Sequence, residues 1–337
     1  MTLRNLKTLE LFAGAGGLAL GLERATFEPL ALIEIDKDAA ATLKFNRPNW
    51  NVINDDIAEI SPLNLEMFFD LRRGELDLLS GGAPCQSFSY AGKRLGLEDA
   101  RGTLFYYYAV FLQKLQPKIF LFENVRGLLT HDKGKTYQTM SNVFKDCGYR
   151  VSKKILNAWD YGNAQKRERL MTIGVRSDLN LKVNFPPPQK YKPVLRDVLK
   201  DVPRSLGAQY SEHKRKLFEL IPPGGYWRDL PAALAKPYMK SCWEMEGGRT
   251  GILRRMSLDE PSLAVLTSPT QKQTERCHPL EARPFTVREN ARIQSFPDDW
   301  QFCGSMYSQY RQVGNAVPVN LAFAVADEIR KALEALQ

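Results

Sequence analysis

The sequence is poor in the residues that build covalent or metal-held scaffolds. Of 337 residues only five are cysteine and three histidine, and Cys85, Cys147, Cys242, Cys277 and Cys303 include no Cys-x-x-Cys pair. Neither a disulfide framework nor a structural zinc site has support, and no metal is expected. Long hydrophobic runs are lacking too: the most apolar stretch, Leu9 to Leu22, already contains Glu10. That excludes a membrane-spanning helix. The opening MTLRNLKTLELF carries charge among its apolar residues and no small-residue cleavage site, so a cytoplasmic protein is expected. What is present is globular in composition, 44% apolar and 25% charged, which excludes a disordered or collagen-like chain. The length suits two domains, or one with an insert. Lys and Arg number 47 against 38 Asp and Glu, a formal charge of +9. Such a balance suits an anionic partner such as nucleic acid, or serves solubility alone.

From Thr8 to about Val175, short apolar runs alternate with helix-length segments, the pattern of parallel strands joined by crossover helices. Strands are predicted at Thr8 to Phe12, Leu30 to Ile35, Leu76 to Ser80, Ile119 to Glu123 and Leu170 to Val175. Helical spacing predicts helices at Leu18 to Ala25, Asp38 to Phe45, Thr103 to Leu115 and Tyr137 to Asp146. The expected fold class is α/β, doubly wound. Pro186, Pro187 and Pro188 end this pattern. Residues 186–282 carry 16 Lys and Arg against 11 Asp and Glu and hold 12 of the 20 prolines. Tyr191, Tyr226, Trp227, Tyr238 and Trp243 lie among these charges. The mixture reads as a loop-rich nucleic-acid surface, or equally as a small second domain whose aromatics are its core. Asn320 to Leu336 has the spacing of a closing amphipathic helix.

The first strand runs into Ala13-Gly14-Ala15-Gly16-Gly17, a turn that lets a ligand approach backbone amides at a helix N-terminus. Glu34 follows Gly14 by 20 residues, at the end of the second strand, where an acid accepts from ribose hydroxyls. Asp56-Ile57 pairs an acid with an apolar group, suited to an adenine, although Asp56 also reads as a helix cap. A nicotinamide nucleotide and S-adenosylmethionine both fit these residues.

Cys85 lies just beyond the strand Leu76 to Ser80, in Gly81-Gly82-Ala83-Pro84-Cys85-Gln86-Ser87-Phe88-Ser89. Open sheets place their chemistry there, and the proline and long polar loop argue against an inert packing cysteine. Glu123 ends the strand Ile119 to Glu123 and would face the same pocket as a general acid if burial raises its pKa. Arg167 and Arg169, two residues apart, suit phosphate or base-edge contacts.

Taken together, the blocks Phe12 to Gly17, Pro84 to Ser89, Glu123-Asn124-Val125, Gln165 to Arg169, Arg283 to Pro297 and Gln312-Val313-Gly314-Asn315 resemble, in order and spacing, the cytosine C5 DNA methyltransferases of bacterial restriction-modification systems. The family's Gly-Asp-Ile is here Asp55-Asp56-Ile57. The resemblance implies a Rossmann-like S-adenosylmethionine-dependent domain formed by 1–185 plus 304–337, and a smaller, loop-rich target-recognition domain at 186–303. It implies that Phe12, Ala13, Gly14, Gly16, Gly17, Glu34, Ile35, Asp56, Ile57, Leu104, Asn315 and Val317 contact S-adenosylmethionine. It assigns Cys85, Glu123, Arg167 and Arg169 to a flipped cytosine, and double-stranded DNA as partner to Gln86, Ser87 and Arg94 of a catalytic loop. Arg249, Arg254, Arg255, Gln271, Lys272 and Gln273 are the candidate base-reading residues, since Arg and Gln make bidentate contacts to guanine and adenine.

The implied chemistry is addition of the Cys85 thiolate to C6, which makes C5 nucleophilic, with protonated Glu123 donating to N3 and Arg167 fixing the base carbonyl. Because a stacked cytosine shields both carbons, the base must be flipped out. A monomer acting on the nucleoid is expected, with a restriction endonuclease of the same site as companion. The alternatives are a tRNA cytosine-5 methyltransferase, an inactive DNA-binding homologue, and a nicotinamide-dependent dehydrogenase. The Cys-Phe-Thr tripeptide of the tRNA branch is absent, as is the Pro-Pro-aromatic motif of exocyclic amino methylation.

Overall fold

Alternation within each short apolar run sends neighbouring side chains to opposite faces, and here both faces are covered. A computed structural model describes residues 5–83, 103–245 and 248–336. Its strands are β1 (Leu6–Leu11), β2 (Phe27–Ile33), β3 (Val52–Ile53), β4 (Leu78–Gly81), β5 (Ile119–Val125), β6 (Tyr149–Asn157), β7 (Gln165–Lys166), β8 (Glu168–Arg176) and β9 (Ser262–Leu263). Its helices are α1 (Gly17–Arg24), α2 (Lys37–Asn46), α3 (Ile57–Ile60), α4 (Leu65–Phe69), α5 (Leu104–Leu115), α6 (Lys135–Asp146), α7 (Leu195–Val198), α8 (Glu212–Leu220), α9 (Ala232–Met239), α10 (Val287–Ile293), α11 (Met306–Asn315) and α12 (Val319–Glu334).

Seven strands form one sheet in the order β3-β2-β1-β4-β5-β8-β6. On one face Phe120 and Phe122 of β5 pack with Phe105, Tyr108 and Phe111 of α5 and Phe144 of α6. On the other, Ile119 and Leu121 pack with Leu18 and Leu22 of α1 and Leu321, Val325 and Ile329 of α12. This is the doubly wound, Rossmann-like arrangement. The strand order reverses at β1, whose neighbours are β2 and β4, and ligands enter such sheets at the carboxyl ends beside that reversal.

Two strand expectations need correction. The strand at Leu170 to Val175, expected to be parallel, is β8 and runs antiparallel to both β5 and β6. The chain between β6 and β8 turns through 158–167, too short for a parallel crossover of about a dozen residues or more. The sequence pattern also missed β6. It is an edge strand carrying exposed Arg150, Lys153 and Lys154, which hide its alternation.

Beyond the sheet, two further cores form. Tyr210, Phe218, Trp227, Met239, Leu253 and Cys277 make one of their own. Phe285, Ala291, Phe296 and Trp300 share the other with Ala13, Ala15 and Leu43. Of the aromatics read as a nucleic-acid surface, Trp227 is core, while Tyr226, Tyr238 and Trp243 pack against it. The core reading holds for these four, and Tyr191 alone stands exposed. Among the described residues no helix is long and apolar enough to cross a membrane.

Candidate active site

The glycine turn follows β1 through Phe12, whose φ of 58° is unusual for a bulky residue, and through Gly14 and Gly16 at φ 56° and 90°. Gly16 does not reach the cavity. A Cβ there would lie 2.8 Å from Leu43 and 2.9 Å from Trp300, so its role is packing rather than the expected ligand contact. Gly17 does line the cavity, and its missing Cβ admits the carbonyl of Val317. Glu34 closes the turn from the other side: Oε2 accepts from Gly14 N at 2.7 Å and Oε1 from Asp36 N at 2.8 Å. Each oxygen keeps a second lone pair for a ligand hydroxyl. Asp56 caps α3 by accepting from Ala58 N at 2.9 Å and also lines the cavity, so both sequence readings of it apply.

On the far side of β1 stands the second half. Glu123, at the end of β5, pairs with Arg169 of β8, Nε to Oε1 at 2.8 Å. Burial pushes its carboxyl above the usual range, and Arg169 and Arg167, acting in the opposite direction, do not cancel the effect. The backbone of Gly82 lies against this carboxyl: a Cβ on Gly82 would stand 2.7 Å from Oε2 and 2.8 Å from the carbonyl oxygen of Glu123. Asn124 Nδ2 donates to Ala83 O at 3.0 Å, fixing the point from which the chain leaves for Cys85. Cys85, Gln86, Ser87 and Arg94 themselves lie outside the described residues.

Arg167, expected at the base carbonyl, is 4% exposed. Nη1 donates to Val265 O at 2.9 Å and Nη2 to Gly314 O at 2.7 Å. The guanidinium that serves Glu123 directly is Arg169. Both arginines line the cavity, and Arg167 does so as a clamp on the segment that carries Asn315 and Val317.

One cavity of about 1110 Å³ joins the two halves. That is slightly above the roughly 300–1,000 Å³ of a site for a single small ligand. Phe12, Ala13, Gly14, Gly17, Glu34, Ile35, Asp56, Ile57, Leu104, Asn315 and Val317 line it together with Glu123, Arg167 and Arg169. Ile35 is 63% exposed, an apolar surface open for a flat ring. Sequence reasoning missed Glu10, Gly82, Tyr307, Arg311 and the strip Val265 to Thr267, all of which also line the cavity. Glu10 was visible only as a charge interrupting an apolar run. It is 2% exposed, its Oε2 has no hydrogen-bond partner among the described residues, and burial with Glu34 nearby pushes it well above the carboxylate range.

None of the six expected base-reading residues lines this cavity. Arg255 is committed within the fold to the carbonyls of Pro279, Phe218 and Ile221. Lys272 Nζ donates to Tyr238 O at 2.7 Å, and Arg249 Nη2 contacts Met245 Sδ. Gln271 and Gln273 are exposed, and Arg254 lies over the ring of Tyr226 at 6.0 Å.

The sequence profile of the C-5 cytosine-specific DNA methylases matches residues 6–331. The chain belongs to that family. Its activity is accordingly methylation of cytosine C5 in DNA, which leaves the dehydrogenase reading without support. Among family relatives, the type II methyltransferase M.Sau96I of Staphylococcus aureus is 57% identical over 323 residues, covering 95% of this chain and 74% of the relative. M.Eco47II of Escherichia coli is 50% identical over 331 residues, covering 95% and 78%. In fold, the methylase resembles DNMT2 of Spodoptera frugiperda at a TM-score of 0.68 and 18% identity, covering 98% of this chain and 99% of that one. The Dnmt2 methyltransferase of S. pombe gives 0.61 and 21%, covering 99% and 100%.

Proposed function

We propose that this methylase takes its methyl group from S-adenosylmethionine, delivers it to a cytosine flipped out of one short duplex site, and is the modification partner of a restriction endonuclease. The observation that carries this is the single cavity in which the glycine turn, Glu34 and Asp56 open onto Glu123 and Arg169. The residues fit the cofactor: Glu34 and Asp56 offer acceptors for hydroxyl and amino groups, Ile35 and Leu104 offer apolar surface, and the buried acid Glu10 suits a cationic ligand. When bound, S-adenosylmethionine supplies an electrophilic methyl group.

The protein's part is to make C5 a nucleophile. Cys85, two residues beyond cavity-lining Ala83, adds as thiolate to C6, and the electron pair of the C5–C6 bond becomes available at C5. Glu123, whose protonated form burial favours, donates to N3 and disperses the developing negative charge. Arg169 fixes the Glu123 carboxyl and presents its guanidinium to the base carbonyl. Loss of the C5 proton with expulsion of Cys85 restores the ring. The unit built on the core from Tyr210 to Cys277, within the recognition domain 186–303, grips the DNA and helps offset the few kcal/mol of base flipping. The protein works as a monomer on DNA in the cytoplasm.

The test is transfer of labelled methyl from S-adenosylmethionine to mixed-sequence duplex DNA by wild type and Cys85→Ser, with modified bases located by bisulfite sequencing. Protected cytosines at one recurring short site, lost in the variant, are expected. Label confined to RNA, or no label from protein that still binds the cofactor, would refute the reading.

A further inference from the structure

Two arginines outside the cavity stand side by side with no carboxylate paired to either among the described residues. Arg255 pairs with Cys277 in a parallel bridge. Cys277 N donates to Arg254 O at 3.0 Å and Met256 N to Cys277 O at 3.0 Å. Side chains alternate along extended chains, so Arg254 and Arg276 leave the opposite face from Arg255 and Cys277, as direct neighbours.

Like charges placed opposite one another across two strands repel. Here the Nε atoms of Arg254 and Arg276 are both buried and without a hydrogen-bond partner among the described residues, as are the hydroxyls of Thr274 and Tyr210. The adjacent carboxylate does not relieve them: Glu275 is engaged by Lys214 Nζ at 2.5 Å, Tyr238 Oη at 3.3 Å and Leu253 N at 2.5 Å. Burial, and secondarily Arg254, pulls the Arg276 guanidinium down to about 10, so it remains charged at neutral pH. Arg276 Nη1 donates to Glu275 O at 2.8 Å, which satisfies one prong but brings no negative charge. A partly desolvated like-charge pair with no counter-carboxylate among the described residues costs a protein stability, and that cost is offset when a ligand supplies acceptors.

Arg276 also borders a small cleft with Leu266, Ser268 and Pro269, while Leu266 lines the main cavity beside Val265 and Thr267. The strip 265–269 therefore separates the arginine pair from the catalytic chamber.

We propose that Arg254 and Arg276 form a two-pronged receptor for duplex DNA close to the target base, taking a paired-acceptor group: a backbone phosphate or the O6/N7 edge of a guanine. The planar fork of arginine matches both acceptors in bidentate fashion. This rests on the reading of the protein as a DNA methyltransferase, and it selects Arg254 from the six sequence candidates and adds Arg276, which none of them included.

The experiment uses full-length Arg254→Gln, Arg276→Gln and the double variant. Affinity is measured for a duplex carrying the methylated site and for one lacking it, at several salt concentrations, and is referred to the fraction of protein that binds S-adenosylmethionine. We expect DNA binding about tenfold weaker per arginine, with a thermal midpoint equal to or above that of wild type. If the acceptor is a phosphate, both duplexes weaken alike and the log–log salt slope falls by about 1. If it is a guanine edge, the site duplex alone weakens. Unchanged affinity per cofactor-binding molecule in the double variant overturns the proposal, whatever its melting point. Wild type that methylates no DNA refutes the function itself, whereas active wild type beside a double variant of normal affinity removes this inference alone.

Discussion

Gly82→Ala disturbs the position of the Glu123 carboxyl without removing any polar group from the cavity. The added Cβ would stand 2.7 Å from Glu123 Oε2 and 2.8 Å from the Glu123 carbonyl oxygen, whereas real Cβ atoms essentially never come within 3.0 Å of a neighbour and ordinary contact begins at 3.4 Å. Something must shift by about half an ångström. The carbonyl is held in mid-sheet, since Glu123 is paired with Met171 of β8 and its neighbour Phe122 with Gly81 of β4. The Glu123 side chain therefore yields on one side, dragging on its 2.8 Å contact with Arg169, and the backbone at residue 82 gives way before the carbonyl on the other. Gly82 has no left-handed backbone that an alanine would strain, so the effect comes from these two contacts alone. Misplacing a catalytic group by about 1 Å costs on the order of a hundredfold, so half that displacement should cost about tenfold in kcat, or about 1.4 kcal/mol in the barrier. Single-turnover methyl transfer at saturating DNA and cofactor measures it, with cofactor affinity as control. We expect a slow chemical step with cofactor binding within about twofold of wild type. A variant with the wild-type single-turnover rate would show that Glu123 is not positioned through Gly82.

Three further outcomes follow from the charges. Arg169→Met removes a group that lowers the Glu123 pKa, so that pKa rises; in a pH–rate profile the limb on which activity falls as Glu123 loses its proton should move to higher pH, and an unmoved limb counts against protonated Glu123 as the acid. Glu10 has a folded-state pKa well above the 4.5 of an unperturbed glutamate, so the stability linked to its proton is full below that value and is lost as pH rises through the folded pKa. Glu10→Gln keeps the shape without the titration, and the stability of wild type minus that of the variant should fall with rising pH, at a limiting slope of about 1.4 kcal/mol per pH unit; a difference that stays flat in chemical denaturation across pH refutes the assignment. Methyl transfer should proceed at full rate in excess EDTA, since the proposed thiolate addition and attack on the sulfonium methyl call only on Cys85, Glu123 and Arg169, and loss of activity that added magnesium restores would contradict this.

What the sequence disclosed and what it hid divide along physical lines. Glycine turns and strand-end acids are local: Gly14, Glu34 and Glu123 could be placed because a strand, a turn and a helix start lie within a few residues of each. Helix ends were legible for the same reason, as with Thr103, whose hydroxyl accepts from Tyr106 N at 3.2 Å. The direction of β8 was not local, because it depends on how little chain separates it from β6. Arg167 and Arg169 looked equivalent, two residues apart and both basic. Only the fold distinguishes them, by bringing the carbonyls of Val265 and Gly314 to one and a carboxylate to the other. Arg254 and Arg276 are 22 positions apart and carry no motif, so their juxtaposition depends on the Arg255–Cys277 bridge.

That division of labour between the two neighbouring arginines explains how the motif blocks act as one unit. The last carbonyls of a helix lack intrahelical donors, and α11 ends at the cavity wall. Arg167 Nη2 takes Gly314 O at 2.7 Å, while Gln294 Nε2 takes Val313 O at 2.7 Å and Ala316 O at 3.1 Å. Gln294 is held in turn by Gln165 Nε2 at 2.5 Å, and Gln165 Oε1 accepts from Val265 N at 3.2 Å. Trp300 Nε1 then reaches Ala15 O at 3.2 Å, tying the glycine turn to the same assembly. Blocks more than a hundred residues apart thus form one buried polar network, in which loss of any member leaves others unsatisfied at a cost of about 1–3 kcal/mol each. The core from Tyr210 to Cys277 supplies none of the side chains of this network. Its surface can therefore be altered without moving the carboxyl of Glu123, whereas a change at Gln165 or Gln294 reaches the cavity wall at Val265 and Gly314 and, through Arg167, the strand end that carries Arg169.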